Sequence, residues 1–165
     1  MTAVVTRVLL SPITIPDATT APMTTHRSAD QTAIVSDTAA MRLVASRSHR
    51  DPLVSAVCAE LGITRDRPSG SVGLKVGLLA TAVCDLYIHP SPGLKEWDTC
   101  APEAILRAAG GAISDSWGNP LQYNKADVRQ RQGLVASNGR RQSEIVSATA
   151  RAAEAAGYRS ETGFW

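Results

Sequence analysis

Apolar residues recur along this chain with two different spacings, and each spacing predicts one kind of element. Short apolar runs bounded by polar or turn residues predict strands near 43–45, 85–89, 112–115 and 133–137. Apolar residues three and four positions apart predict helices near 52–62, 71–84, 99–109 and 141–156. Strands that alternate with helices predict an α/β fold, with a layered, partly parallel sheet and helices on both faces.

The first forty residues differ in composition and in hydrophobic pattern from the rest of the chain. They are rich in threonine and proline, and neither the helical nor the strand spacing is sustained. We therefore expect residues 1–40 to be a poorly ordered or unrelated leader and residues 41–165 to form the folded domain. The predicted helix 71–84 is apolar on nearly every side, so we expect it to lie between layers.

The amino-acid composition limits which binding partners and which cellular compartment we expect. The chain has 165 residues and a formal net charge of +2, without a long basic block, so nucleic acid is not expected as a partner. It has no apolar run long enough to cross a membrane. Three widely spaced cysteines favour free thiols and a cytoplasmic location.

A glycine, a serine and a lysine near residue 70 form the first candidate site. Ser71 and Lys75 are four residues apart and therefore share one helix face, and Gly70 lets the backbone approach a ligand closely. A lysine in the first turn opposes the helix dipole unless an anion lies there. The spacing fits a phosphate-binding site, and the alternative interpretation is a lysine that extends along the surface to solvent.

A second basic cluster, Arg47-Ser48-His49-Arg50, lies between a predicted strand end and a predicted helix start. Backbone donors and cationic side chains at such a position favour a second phosphate or a carboxylate. A solvated basic loop is the alternative interpretation. Two anion sites would together suit a bisphosphate.

One acidic residue stands at the start of a helix, beside a tryptophan. Asp98 follows Trp97 and precedes an apolar helix that stops at Gly110-Gly111. An aspartate in this position either caps free backbone N–H groups or turns outward and holds a cation. The sequence leaves both interpretations open.

These residues resemble the magnesium-dependent inositol monophosphatase family. The resemblance rests on Trp97-Asp98 and on the helix that ends at Gly110-Gly111. The segments from Ser91 to Gly111 and from Gly118 to Tyr123 are similar to the 3'(2'),5'-bisphosphate nucleotidase branch, which includes bacterial CysQ. The resemblance covers about residues 42–150 and implies the fold of the carboxyl-terminal half of such an enzyme.

The resemblance implies hydrolysis of the 3'-phosphate of adenosine 3',5'-bisphosphate, which gives AMP and phosphate. It implies Mg²⁺ as the cofactor, bridging carboxylates and the scissile phosphate. Carried over by motif position, Asp98 would be a metal ligand. The substrate-binding residues would be Gly70, Ser71, Lys75, Arg47, Ser48 and His49.

The chain also departs from the family pattern. It lacks an upstream glutamate and an Asp-Pro-x-Asp-Gly-Thr motif, from which the family takes its other metal ligands. We therefore interpret it as a truncated chain with little activity by itself, in which an exposed apolar surface favours self-association. Two alternatives remain: a non-catalytic fragment that binds nucleotide or phosphate, and an inositol monophosphatase-type phosphatase.

Overall fold

The computed structural model describes residues 37–47 and 51–160, and within them strands and helices alternate. Residues 1–36 of the predicted leader lie outside the described residues, and residues 38–40 form a short 3-10 helix. In chain order the elements are β1 (Arg42–Ser46), α1 (Pro52–Leu61), β2 (Arg65–Ser69), α2 (Val72–Ala80), β3 (Leu86–His89), α3 (Glu96–Ala108), β4 (Ala112–Ser114), β5 (Leu134–Ser137) and α4 (Gln142–Ala155).

The five strands form one mixed sheet with the order β2-β1-β3-β5-β4. Strand β1 is parallel to β2 and to β3, whereas β5 is antiparallel to both β3 and β4. The partly parallel sheet predicted from the sequence is thereby confirmed. Because β1, β2 and β3 run in the same direction, the loops that follow them gather at one edge of the sheet.

Each face of the sheet carries its own apolar core, because successive side chains of a strand point to opposite faces. Leu43, Leu86 and Val135 pack on one face with residues of α1 and α4. Val44, Tyr87 and Leu134 pack on the other face with residues of α2 and α3. Helices therefore cover both faces, as predicted.

Local sequence explains where α1 begins and ends. The Asp51 carboxylate accepts a hydrogen bond of 2.9 Å from the Leu53 amide, and Pro52 occupies the first helical position. Gly62 ends the helix with φ +71°, a left-handed conformation that glycine adopts without strain. These three residues explain the bounds of the helix that the spacing predicts near 52–62.

Two elements differ from the prediction. Strand β2 was not predicted, because the sequence Arg-Asp-Arg-Pro-Ser has no apolar residue and forms an exposed sheet edge. Helix α2 ends at Ala80 rather than near residue 84. The Thr81 hydroxyl donates to the Gly77 carbonyl, and Ala82 turns the chain with φ +58°.

The orientation of α2 also differs from the prediction. Leu74 is 57% exposed, whereas the neighbouring Lys75 is only 6% exposed. The helix is therefore not buried on every side, and its one charged residue points inward. Among the described residues, no helix is both long and apolar enough to span a membrane.

Candidate phosphate-binding site

A cleft lies where β1 and β3 end. It is lined by residues that follow or close these strands, including Ser46, Asp51, Tyr87, His89 and Ser91. The Ser91 hydroxyl donates to Asp51 Oδ2 over 3.4 Å and so links the loop after β3 to the start of α1. Carboxyl ends of parallel strands are where ligands bind in open α/β sheets.

Lys75 reaches inward from α2 toward β3. Its Nζ lies 4.8 Å from the centroid of the Tyr87 ring, a distance typical of a cation–π contact. Burial lowers the pKa of the Lys75 ammonium. No carboxylate among the described residues forms a salt bridge with it. Lys75 is therefore a buried cation and does not extend to solvent.

Tyr87 and His89 lie two residues apart on β3, with ring centroids 6.3 Å apart. Burial raises the pKa of Tyr87, and the charge of Asp98 raises it further. Burial lowers the pKa of His89, as does Lys75, while Asp51 and Asp98 oppose this shift. Lys75 and Asp98 thus both lie within electrostatic range of this pair.

The segment before α2 brings three predicted residues together. Ser71 caps α2, and its Oγ accepts a hydrogen bond from the Leu74 amide over 3.3 Å. A methyl group at Gly70 would lie only 3.3 Å from Arg47 Nη2, so the Arg47 guanidinium lies against the Gly70 backbone. The predicted residues Ser48 and His49 lie outside the described residues.

Asp98 occupies the third position of α3, because the helix begins at Glu96 rather than near residue 99. Its Oδ2 accepts a hydrogen bond of 3.0 Å from the Lys95 amide, so one carboxylate oxygen does cap the helix. The helix starts early because the Glu96 carboxylate binds the Lys125 ammonium over 2.9 Å and accepts from two amides of the same loop. This pairing lowers the pKa of Glu96.

The described residues do not form a magnesium site by themselves. Within residues 37–47 and 51–160, no three histidine, cysteine or acidic side chains are grouped closely enough to hold a metal ion. Mg²⁺ requires near-octahedral oxygen coordination, and a single carboxylate provides too few ligands. Asp98 could supply one ligand, and further ligands would have to come from elsewhere.

Two polar residues of this site were not predicted from the sequence. Spacing alone singles out neither Tyr87 nor His89. Within the described part of the chain, Tyr87 Oη and His89 Nε2 are buried and have no hydrogen-bond partner. The alternation in residues 85–89 places both side chains on one face, which was the available signal.

Comparison with known proteins identifies the family of this chain. The model of the inositol monophosphatase family matches residues 18–155. The chain is 42% identical over 83 residues to 3'(2'),5'-bisphosphate nucleotidase 1 of Rattus norvegicus, which is 50% of this chain and 27% of that protein. The resemblance stated from the sequence is thereby confirmed.

Solved structures give the same fold. CysQ from Bacteroides thetaiotaomicron is 34% identical, with a TM-score of 0.50 over 59% of this chain and 37% of that one. Inositol monophosphatase from Anabaena (Nostoc) sp. PCC 7120 is 22% identical, with a TM-score of 0.54 over 68% of this chain and 44% of that one. The chain thus spans less than half the length of each of these relatives.

Proposed function

The chain belongs to the inositol monophosphatase family, and from this premise we propose that it contributes the phosphate-binding part of a 3'(2'),5'-bisphosphate nucleotidase-type phosphatase. The proposed reaction is hydrolysis of the 3'-phosphate of adenosine 3',5'-bisphosphate. The observation that carries the proposal is the buried Lys75 ammonium, which no described carboxylate neutralises. Burying an uncompensated charge is costly, and a bound anion would remove that cost.

The groups around Lys75 support a phosphate ligand. Arg47 adds a second cation, and Gly70 allows a ligand to approach the first backbone amides of α2. Asp98 is proposed as one carboxylate of a Mg²⁺ site that needs further ligands from outside the described residues. Because the described residues do not complete such a site, we expect this chain by itself to release little phosphate.

Calorimetric titration with adenosine 3',5'-bisphosphate, without added metal, tests the binding proposal. We expect measurable binding that Lys75→Met weakens by about tenfold or more, since a charge-assisted hydrogen bond contributes roughly 1.5–3 kcal/mol. Arg140→Met is the matched control. Arg140 follows β5, and the end of β5 pairs with the start of β3, so Arg140 lies at the opposite end of β3 from the cleft. Equal affinities for the wild type and Lys75→Met would contradict the proposal.

The nucleotidase reaction is favoured over an inositol monophosphatase reaction by the names of two relatives, the rat nucleotidase at 42% identity and CysQ from Bacteroides thetaiotaomicron at 34% identity. Titration with inositol 1-phosphate in parallel separates the two substrates. We expect weaker binding of the inositol ester. Robust Mg²⁺-dependent phosphate release that Asp98→Ala abolishes would show that this chain does assemble a working site.

The proposed partner is therefore a small phosphorylated nucleotide, and the proposed location is the cytoplasm. No disulfide joins the three cysteines, which all lie in the described part of the chain, and two of them are buried, which is consistent with a reducing compartment. Leu74, Trp97 and Ile105 are large exposed apolar residues on α2 and α3. We propose that this surface favours self-association, which sedimentation at increasing protein concentration would detect.

A further inference from the structure

Two polar atoms beside Lys75 are buried without a hydrogen-bond partner in the described part of the chain. They are Tyr87 Oη and His89 Nε2. Tyr87 is only 1% exposed, so its hydroxyl has lost contact with water and gained no protein partner in return. Such a group costs about 1–3 kcal/mol of stability. A buried polar group without a protein partner indicates a position where a water, an ion or a ligand supplies the partner.

On the basis of the proposed function, we propose that Tyr87 Oη and His89 Nε2 donate hydrogen bonds to the phosphoryl group that Lys75 binds. Tyr87 and His89 both line the cleft at the ends of β1 and β3. The Lys75 ammonium lies over the Tyr87 ring. One cation and two neutral donors, all on one side of β3, suit the several acceptor oxygens of a phosphoryl group.

The protonation states fit this role. Because burial raises the pKa of Tyr87, its hydroxyl keeps its proton and can donate. Because burial and Lys75 lower the pKa of His89, its imidazole is neutral at pH 7 and carries one N–H, which the proposal places on Nε2. The carboxylates of Asp51 and Asp98 lie within electrostatic range of His89 and oppose an anion. Lys75 is therefore required for the site to bind a phosphoryl group.

The substitution Tyr87→Phe tests the proposal, because it removes the hydroxyl and retains the ring beneath Lys75. We expect the variant to bind adenosine 3',5'-bisphosphate and inorganic phosphate about ten- to a hundredfold more weakly than wild type. Its thermal stability without ligand should be unchanged or higher, since an unpaired buried hydroxyl is removed. His89→Leu should weaken binding in the same direction.

Tyr123→Phe is the matched control. The Tyr123 hydroxyl donates to Glu103 Oε2 over 2.5 Å and lies 3.3 Å from Thr99 Oγ1, so it is already paired within the protein. Removing it should lower stability and leave phosphate affinity unchanged. The two tyrosine variants are thus expected to show opposite patterns in binding and in stability.

The outcomes separate this inference from the proposed function. If Lys75→Met loses nucleotide binding and Tyr87→Phe retains wild-type affinity, the inference is wrong and the proposed function stands. If Tyr87→Phe binds the nucleotide more weakly but binds inorganic phosphate as the wild type does, the Tyr87 hydroxyl contacts the sugar or the base. That result would overturn the inference. If the wild type binds neither probe, both are wrong.

Discussion

The two ends of strand β3 differ in whether their buried polar groups have hydrogen-bond partners. At the start, the Asp85 carboxylate is 3% exposed and accepts hydrogen bonds from the Arg42 amide, the Arg42 guanidinium and the Asn138 side chain. At the end, Tyr87 and His89 have buried polar atoms with no partner in the described residues. The same short strand thus links a fully paired site with an unpaired one.

The difference distinguishes polar residues that are paired within the fold from polar residues that we propose bind a ligand. Asp85 joins the starts of β1 and β3 to the chain after β5, so all its lone pairs serve the fold. The Arg42 guanidinium also donates to the Ala82 carbonyl, and its hydrogen bond to Asp85 raises the pKa of Arg42. Tyr87 Oη and His89 Nε2 have no such hydrogen bonds among the described residues, and we propose that a ligand supplies them. Substitutions at the two ends should therefore have opposite effects.

The largest effect is expected at the paired end. Asp85→Ala leaves the Arg42 and Asn138 donors without their acceptor. Because the Arg42 side chain is 40% exposed, we expect a loss of about 1–3 kcal/mol, less than for a fully buried pair. Urea denaturation measures this loss. The phosphate affinity of the fraction that remains folded should be unchanged. A loss below about 1 kcal/mol would show that Asp85 is not the structural partner that its hydrogen bonds indicate.

The double variant Arg42→Ala, Asp85→Ala sharpens this prediction. If the two side chains act as one unit, the free energy of unfolding falls far less in the double variant than the sum of the decreases in the two single variants. Additive losses would contradict the pairing.

At the unpaired end, Lys75→Met should increase the free energy of unfolding at pH 7. Methionine fills a similar volume without a desolvated charge, and the gain outweighs the lost contact with the Tyr87 ring by about 1 kcal/mol. Thermal unfolding measures the change. With saturating adenosine 3',5'-bisphosphate the wild type should become more stable than Lys75→Met, because only the wild type gains binding energy.

The pH dependence gives an independent check on Lys75. Burial lowers its pKa below 10.5, so the unfolded chain binds more protons than the folded chain between the folded pKa and 10.5. The wild type should therefore gain stability relative to Lys75→Met as the pH rises through this window. A difference between the two proteins that stays constant with pH would contradict the burial of a charged lysine.

Sequence spacing predicted the strands β1, β3, β4 and β5 and the helices α1 and α4 closely, because each has apolar residues only where the core requires them. It could not orient α2. Apolar residues surround that helix, so periodicity did not distinguish the buried Lys75 from the exposed Leu74. Packing of α2 against α3 decides which side is buried, and this is a tertiary property.

For the candidate site, sequence spacing indicated the cations but not the neutral polar groups, and the binding role of both stays a prediction. Lysine and arginine beside glycine indicate an anion from sequence alone. Tyr87 looked like an ordinary strand residue, because nothing in a sequence shows that a hydroxyl lacks a partner. Asp98 was correctly placed at a helix start, yet its role as cap or metal ligand depends on neighbours that spacing does not reveal.

A smaller effect is expected for Asp98. Asp98→Ala removes the hydrogen bond from Asp98 to the Lys95 amide, and loss of such a cap costs about 0.5–1 kcal/mol. Chemical denaturation with and without millimolar Mg²⁺ separates the two interpretations. We expect the same loss in both conditions, because the described residues do not complete a metal site. A Mg²⁺-dependent stabilisation that only the wild type shows would contradict this expectation.

The smallest effect is expected from His89 and appears only in acid. Burial and Lys75 lower its pKa below 6.5, so the unfolded chain takes up a proton at a pH where the folded chain does not. The wild type should therefore lose stability as the pH falls from 6.5 through the folded pKa, and His89→Asn should lose less over the same range. Thermal unfolding from pH 7.5 to 5 measures this difference.

Bound phosphate provides the decisive comparison for His89. If Nε2–H donates to the phosphoryl group, phosphate should restore more stability to the wild type than to His89→Asn at pH 7. The end of β3 would then become as fully paired as its start, with ligand oxygens taking the place that the Asp85 carboxylate occupies at the other end. An equal gain for both proteins would mean that the histidine is merely buried and that the contrast between the two ends rests on Tyr87 and Lys75.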